Sequence, residues 1–478
     1  MIFNSFEFMF FLPVVWLVFW ALNRHLRLQN LWVVVASYVF YGWWDWRFLL
    51  LIAFTSGWSY AVGLLELRRW ESRPSKSLLT ISLLVNLGIL GYFKYFNFFL
   101  DQAVFLLQAI GFQPNVPSLK IILPVGISFY TFQALSYTID VYRRQIRPTR
   151  DPFAFFAFIS FFPQLVAGPI ERATNLLPQF LRKKDFDYPQ AVEGCRQMLW
   201  GLFKKAVVAD NCAVMVNGCL NDAGMDNGLA IVCCACLFSF QIYCDFSGYS
   251  DIAIGCSRLF GIRLMRNFSF PYFSRDIAEF WRRWHISLTT WFRDYLYIPL
   301  GGSRCGKWRQ VRNTFSIFLV SGLWHGANWT FVLWGALHAI LFLPLLLAGK
   351  NRRHLAPVAE GRAFPAVAEL GLMVRTFAFA TMGWLVFRAR SLAELGRWAR
   401  DLVNPSGYGF IEDFPEAGNV AIASIGILLA CEWVNRREQF GFARLPRGTV
   451  ARWFAYFAVV FLIFVYAPGS HSFIYFQF

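Results

Sequence analysis

Apolar runs of nearly bilayer-spanning length recur from one end of this chain to the other. A helix needs about 20 apolar residues, with a range of about 17–25, to cross the hydrocarbon core of a bilayer. We therefore predict an all-α fold, a polytopic transmembrane helix bundle of about eleven spans. The runs are 6–22, 31–44, 48–65, 78–93, 121–139, 198–216, 229–244, 329–347, 368–387, 420–431 and 454–466.

The composition agrees with a membrane protein and argues against a nucleic-acid partner. Hydrophobic residues make up 57% of the chain and charged residues 15%, whereas roughly a quarter of a soluble chain is charged. The net charge of +17 comes from short basic clusters, most of them between the apolar runs; Lys204 and Lys205, which we also assign to the cytoplasmic side, lie within the run 198–216. Such clusters are typical of cytoplasmic loops. The alternative is that some of them hold a phosphate-bearing acyl donor.

The basic clusters also predict the orientation of the chain. If the N-terminus lies outside, the clusters around residues 24–27 and 68–76 fall on the same side, and that side is cytoplasmic by the positive-inside rule. We therefore expect an extracytoplasmic N-terminus and a retained first span, with membrane lipid around the bundle.

Three apolar segments look too short or too broken to span the bilayer, and we expect them to be re-entrant or interfacial. They are 153–166, 252–262 and 315–324. Irregular backbone at membrane depth survives where protein or a water-filled cavity surrounds it. A group of such segments therefore indicates an active cavity.

His325 is the strongest candidate for chemistry. The predicted helix 313–324 before it is about 18 Å long, roughly half of the hydrocarbon core. Gly322 and Gly326 flank this position and allow a helix break near the middle of the membrane. An imidazole there suggests function, because a pKa near ~6.5 suits a general base for acyl transfer to an alcohol. The alternative is a packing histidine with one hydrogen bond.

His285 belongs to the stretch 281–292, for which we predict one amphipathic helix. At 100° per residue, Trp281, Trp284, His285 and Leu288 share an apolar face. His285 can then point into the same cavity as His325. The alternative is a histidine that faces lipid or packs in the bundle.

Two further patterns need interpretation. Asp245 and Asp251 close an apolar run, and they are either interfacial residues or anchors of the cavity. The Cys pair at 233 and 236 lies in an apolar run without a second pair at zinc spacing, and the phosphate-loop spacing at 301–307 is followed by Trp308 instead of Ser or Thr. We therefore predict no metal site and no nucleotide loop.

Taken together, five motifs resemble the membrane-bound O-acyltransferase family, in particular its bacterial polysaccharide-acetylating branch. The resemblance covers nearly the whole chain and is densest between residues 123 and 334. The motifs are WRRWHISL at 281–288, WHG at 324–326, LPVGISFYTFQ at 123–133, FPQLVAGPI at 162–170 and DFSGYSD at 245–251.

The resemblance implies a single domain over residues 1–478, with helices around a central funnel or tunnel. It implies that His325 is catalytic and that His285 is the second histidine needed for activity. We expect substrate-binding or cavity-lining roles for eight side chains in these motifs or in the stretch 321–329 around His325: Trp324, Asn328, Trp281, Trp284, Asp245, Ser247, Tyr249 and Gln133.

The resemblance also implies the reaction and its surroundings. An acyl group passes from a cytoplasmic thioester, acetyl-CoA or another, across the bacterial inner membrane, with no cofactor bound. Extracytoplasmic acetyltransferase partner proteins then place it on an exported polysaccharide, with an alginate-like exopolysaccharide as the expected acceptor. Peptidoglycan O-acetylation and D-alanyl transfer to teichoic acid stay open as alternatives, as do a transporter or flippase and a non-catalytic scaffold.

Overall fold

The structure is a computed structural model that describes residues 1–114, 119, 121–166, 168–221, 227–404, 416–469 and 473–474. These residues form α-helices with a few π-helical and 3-10 turns, and no strand occurs among them. The prediction of an all-α fold is therefore confirmed. The chain divides into two compact units, residues 1–191 with 257–264, and residues 192–256 with 265–478. The single domain predicted from the resemblance stays a prediction.

Seven helices among the described residues are long and apolar enough to cross a membrane. The predicted number of about eleven spans is not confirmed. Four predicted runs account for the difference: α-helices of 16, 17 and 16 residues cover the runs at 6–22, 31–44 and 121–139, and charged side chains interrupt the run at 198–216. The seven helices are Phe48–Arg68, Lys76–Ala109, Gly228–Leu259, Trp329–Leu347, Val367–Arg388, Ala417–Val434 and Thr449–Tyr466.

The first unit contains the N-terminal helices, and a π-helical turn at Gly91–Tyr95 joins two of them. Its helices are α1 (Phe6–Ala21), α2 (Leu26–Gly42), α3 (Phe48–Arg68), α4 (Lys76–Leu90), α5 (Phe96–Ala109), α6 (Ile127–Tyr142), α7 (Pro152–Ser160), α8 (Phe162–Leu165) and α9 (Ala173–Phe180).

Local sequence explains where several of these helices begin. The hydroxyl groups of Ser5 and Ser75 accept hydrogen bonds from backbone amides in the first turns of α1 and α4, and the Asp151 carboxylate does the same at α7. Gly126 precedes α6 with a φ of 73°, and a Cβ there would lie 2.6 Å from the Leu165 carbonyl oxygen. The turn before α6 therefore requires glycine.

The second unit contains the remaining helices, with π-helical turns at Phe203–Ala209 and Arg293–Tyr297 and a 3-10 turn at Pro271–Phe273. The helices are α10 (Tyr188–Leu202), α11 (Asp210–Asn221), α12 (Gly228–Leu259), α13 (Ile277–Arg283), α14 (Ile286–Phe292), α15 (Lys307–His325), α16 (Trp329–Leu347), α17 (Val367–Arg388), α18 (Leu392–Val403), α19 (Glu416–Val434) and α20 (Thr449–Tyr466). The first residues of α10 and the last of α12 belong to the first unit.

Glycines bring α10 and α12 into backbone contact. A Cβ on Gly201 would lie 2.6 Å from the carbonyl oxygen of Gly248, and a Cβ on Gly255 would lie 2.4 Å from that of Gly194. The two contacts are one heptad apart on each helix, so the pair forms a continuous seam. This close approach aligns the lysines that follow α10 with the carboxylates of α12.

Residues 252–262 were predicted as a segment too short to span, and this prediction is wrong. Residues 252–259 continue α12, which runs through the DFSGYSD motif without a break. The helix stays continuous because lysine side chains neutralise Asp245 and Asp251 inside the unit. Residues 153–166 do form two short apolar helices, α7 and α8.

Candidate active site

His325 is the last residue of α15, the first helix of a hairpin with α16. Backbone contact holds the hairpin together, because a Cβ on Gly322 would lie 2.2 Å from the Phe331 carbonyl oxygen. Gly326 then adopts an extended conformation, which ends the helix. The predicted helix end next to His325 is confirmed, although α15 begins at Lys307, six residues before the predicted start at 313.

His285 lies at a break between α13 and α14, with left-handed backbone angles of φ 42° and ψ 54°. The prediction of one continuous amphipathic helix over 281–292 is therefore wrong. The neighbouring segment explains the break, because the backbone amide of Ile286 donates to the Asn267 carbonyl oxygen at 2.8 Å and that of Ser269 donates to the Arg283 carbonyl oxygen at 2.9 Å. These bonds to residues 267–269 replace helical ones around His285.

The break at His285 and the end of α15 bring both histidines to one cavity. The cavity has an empty volume of about 430 Å³. Most of its walls are aromatic or aliphatic, and hydroxyl groups interrupt them at two positions. The lining side chains are Trp281, Trp284, His285, Leu288, Thr289, Phe292, Ile317, Phe318, Ser321 and His325. Two histidines in an apolar, partly closed chamber are suited to proton transfer with little water present.

Aromatic rings hold both imidazoles in place. The indole of Trp324 lies 5.8 Å from the ring of His285 and 4.9 Å from that of His325, measured between centroids. Trp334 and Phe387 each lie 5.2 Å from His325 on other sides. Phe246 packs edge-on against His285 at 4.6 Å. Both histidines are almost completely buried.

Hydrogen bonds orient the ring of His285. Its Nδ1 lies 3.0 Å from Oδ1 of Asn267, while its Nε2 has no hydrogen-bond partner among the described residues. His285 lies outside the seven candidate spans, and burial lowers the pKa of its imidazole to about 3. The ring is therefore neutral at physiological pH.

The DFSGYSD motif on α12 forms part of a buried ion network. Nζ of Lys204 lies 2.5 Å from Oδ2 of Asp251 and donates to the Ser247 hydroxyl at 2.9 Å. Nζ of Lys205 lies 2.7 Å from Asp245, whose other oxygen accepts from the backbone amide of Ile474. The interpretation of these two lysines as cytoplasmic loop residues is wrong. The π-helical turn at Phe203–Ala209 is wholly buried, so both side chains point inward together.

The other predicted site residues lie in several places. Ser247 and Asp251 line a second cavity of about 290 Å³, and Tyr249 packs on Phe473 at 4.4 Å. Asn328 accepts from the Thr330 amide as the N-cap of α16, and its own amide group donates to the Arg390 carbonyl oxygen.

Gln133 belongs to the first unit. There its amide group donates to the Phe158 carbonyl oxygen at 3.0 Å. The structure therefore brings Trp281, Trp284, His285 and His325 together in one cavity, with Trp324 in contact with both histidines.

Sequence reasoning missed Asn267 and Ser321. Ser321 lines the cavity one helical turn before His325, and Asn267 contacts His285 from behind. The spacing of Ser321 from His325 on a helix could have identified it. No local pattern identifies Asn267, because it lies 18 residues before His285 in an irregular segment.

Comparison with known proteins identifies the family. The sequence model of the membrane-bound O-acyltransferase family matches residues 143–375, which include both histidines of the cavity. The chain is 41% identical to the probable alginate O-acetylase AlgI of Pseudomonas aeruginosa over 82% of this chain and 73% of that protein.

Two other relatives carry different acceptors in their names. The chain is 34% identical to a peptidoglycan O-acetyltransferase of Helicobacter pylori, over 85% of this chain and 80% of that protein. It is 26% identical to a teichoic acid D-alanyltransferase of Bacillus subtilis, over 58% of this chain and 72% of that protein. The chain therefore belongs to the membrane-bound O-acyltransferase family, and as a multi-pass membrane protein of that family it is an O-acetyltransferase.

Proposed function

We propose that this chain moves an acetyl group from a cytoplasmic acyl thioester, acetyl-CoA or another, across the membrane for O-acetylation of an exported alginate-like polysaccharide. The observation that carries the proposal is the cavity shared by His285 and His325. Sequence identity supports the choice of polymer, since the alginate relative is closer than the peptidoglycan and teichoic acid relatives.

In the proposed reaction His325 acts as the general base. Its imidazole removes the proton from the acceptor hydroxyl while the hydroxyl oxygen attacks the thioester carbonyl carbon. The new C–O bond forms, the C–S bond breaks, and the imidazolium returns its proton to the departing thiolate. Atoms and charge balance without a cofactor or a metal ion. His285, which lines the same cavity, orients the bound substrate.

The walls of the cavity support acyl transfer over hydrolysis. Trp281, Trp284, Phe292 and Phe318 line the cavity together with the two histidines. Apolar walls limit the number of water molecules that can compete with the acceptor hydroxyl for the thioester. They also strengthen the interactions of the few polar groups inside. The cavity can therefore favour a positioned alcohol over bulk water.

The proposal includes a cellular setting. The bacterial inner membrane is the location, with the N-terminus outside and the basic loops in the cytoplasm, as the distribution of Lys and Arg supports. The donor then enters from the cytoplasm. Extracytoplasmic acetyltransferase partner proteins receive the acetyl group and place it on the polymer.

The experiment is a transfer assay on the purified full chain with radiolabelled acetyl-CoA, with and without the extracytoplasmic partner. His325→Ala is compared with wild type and with His25→Ala, a matched control because His25 is exposed and its side chain makes no cap hydrogen bond. We expect CoA release and label transfer by wild type and His25→Ala, and loss of both in His325→Ala.

Four other outcomes would contradict the proposal in different ways. A folded His325→Ala protein with full activity rules out the assigned base. Transfer of the label only to peptidoglycan fragments would mean that the acceptor is peptidoglycan. Transfer of D-alanine in place of acetate would mean that the acyl group is D-alanyl. Polymer or acyl-carrier movement without any covalent product makes the chain a transporter.

A further inference from the structure

Asn267 stands between the catalytic cavity and α12. Its side chain is completely buried, and its Oδ1 lies 3.0 Å from Nδ1 of His285. Its Nδ2 donates to the hydroxyl oxygen of Ser250 at 3.0 Å. Asn267 thus connects an imidazole of the cavity to the helix that carries the buried ion network.

The hydrogen bonds around Asn267 assign the protons. The Ser287 hydroxyl also donates to Oδ1 of Asn267, at 2.9 Å, so two neighbours converge on the same oxygen. An amide oxygen can only accept hydrogen bonds. Nδ1 of His285 therefore carries the ring proton, and Nε2 carries the lone pair.

The ring of His285 lines the cavity, and its Nε2 has no hydrogen-bond partner among the described residues. A buried acceptor without a partner costs free energy. Because Asn267 engages Nδ1, Nε2 is the ring nitrogen of His285 that is left to accept from a donor group of a bound substrate.

We propose that Asn267 is the positioning residue of the transfer reaction: it fixes the tautomer of His285 in which Nε2 is a hydrogen-bond acceptor inside the cavity. The inference rests on the proposed function, since it assigns His285 the task of orienting a substrate hydroxyl or N–H group. Asn267 itself does not line this cavity, and it acts through His285.

The backbone supports the same assignment. His285 has a φ of 42°, in the left-handed region that residues with a Cβ rarely adopt. The Asn267 carbonyl oxygen accepts from the Ile286 amide at 2.8 Å, so Asn267 holds the turn as well as the ring. Strained conformations of this kind persist where surrounding contacts define them and are common at functional sites.

Charged and titratable groups lie near His285 on several elements. His325 on α15 lines the same cavity. Lys204, Asp251, Arg266 and Glu432 line the second cavity together with Asn267. On α13, Arg283 pairs with Glu279 at 2.7 Å. Burial dominates the pKa of His285 and keeps the ring neutral. A carboxylate at position 267 would raise that pKa.

The test compares Asn267→Ala and Asn267→Asp with Ser250→Ala, in the full chain in detergent. Ser250→Ala removes the partner of the Asn267 amide group but keeps the bond to His285. We expect Asn267→Ala to lower kcat by about tenfold to a hundredfold, the range known for loss of the residue that orients a metal-binding histidine. Ser250→Ala should lower kcat by less than about fivefold.

Asn267→Asp separates positioning from mere packing. The carboxylate of this variant stabilises the imidazolium form of His285, and a protonated Nε2 can no longer accept a hydrogen bond from the substrate. We expect the acid limb of the pH–rate profile to move up by about one pH unit or more, with wild-type activity recovered above it. An unmoved profile, or a folded Asn267→Ala protein with the wild-type rate, overturns the inference.

A second measurement does not depend on turnover. Nitrogen NMR of ¹⁵N-histidine-labelled protein reports the ring tautomer, with His285→Gln used to assign the signal. We expect the Nδ1–H form in wild type and a mixture of tautomers in Asn267→Ala. The Nε2–H form in wild type would overturn the inference even if no acyl transfer is observed. His325→Ala with full activity would contradict the proposed function and leave this result standing.

Discussion

Nζ of Lys205 lies 2.7 Å from Oδ1 of Asp245, and both side chains are buried inside the second unit. The same ammonium group contacts Asp210 at 2.8 Å. Burial of charges is costly, and removal of one partner leaves the others uncompensated. This cluster therefore fixes α11 and α12 to the turn that carries Lys205.

Lys205→Met should destabilise the protein by about 3–5 kcal/mol. Two carboxylates would then face each other without a cation. The measurement is the thermal unfolding midpoint in detergent, with Lys183→Met as the exposed control. Adding Asp245→Asn to Lys205→Met should restore part of the loss, and an equal or lower midpoint in the double variant would contradict the pairing.

Gly201→Ala should also destabilise the protein, by about 1–3 kcal/mol. The new Cβ would lie 2.6 Å from the Gly248 carbonyl oxygen, so α10 and α12 must separate. Gly426→Ala is the matched control, because Gly426 is also helical and a Cβ there meets no atom within 4 Å. We expect the control to be neutral or slightly stabilising. Equal midpoints for the two variants would show that the glycine seam does not limit packing.

The sequence predicted the features that depend on local pattern. Apolar runs and their spacing predicted the helical class, and Gly326 beside a predicted helix predicted where α15 ends. These succeed because helix formation and termination are decided over a few neighbouring residues. The shared cavity of His285 and His325 followed from the same pattern together with the family motifs.

The predictions that failed concern features that depend on residues far apart in the sequence. The break at His285 arises from hydrogen bonds to residues 267–269, and the amphipathic periodicity of residues 281–292 does not predict these bonds. Lys204 and Lys205 have the sequence signature of a loop, and only α12 with its carboxylates explains their burial. Asp251 likewise resembled the end of a span because its compensating lysine lies 47 positions earlier in the chain.

His338→Leu should retain activity within about twofold and leave stability unchanged or slightly improved. Neither ring nitrogen of His338 has a hydrogen-bond partner among the described residues, and Trp281 and Trp334 pack on it at 4.9 and 5.0 Å. An apolar side chain of similar size removes an unsatisfied polar group without opening a large cavity. The assay is acetyl transfer beside thermal unfolding. Loss of transfer in a folded His338→Leu protein would make His338 a third functional histidine.

His285 should make the stability of the protein depend on pH. The pKa of its imidazole is about 3 in the folded chain because of burial, against about 6.5 when unfolded. The unfolded chain therefore binds the extra proton, and the stabilising contribution is complete above about pH 6.5 and is lost as the pH falls towards 3. For one group this amounts to about 2 kcal/mol between about pH 7.5 and pH 5.

The comparison for this last prediction is wild type against His285→Gln, which keeps a polar side chain but does not titrate. Thermal unfolding in detergent at both pH values gives, for each protein, the loss of stability on acidification. The contributions of the other histidines cancel when the two losses are compared, because both proteins contain those histidines. We expect wild type to lose more stability on acidification than the variant. Equal losses would mean that the imidazole of His285 has the same pKa in the folded and unfolded chain, as a solvated ring has. Water would then be the partner of Nε2, so the same result would also remove the physical basis for the role assigned to Asn267.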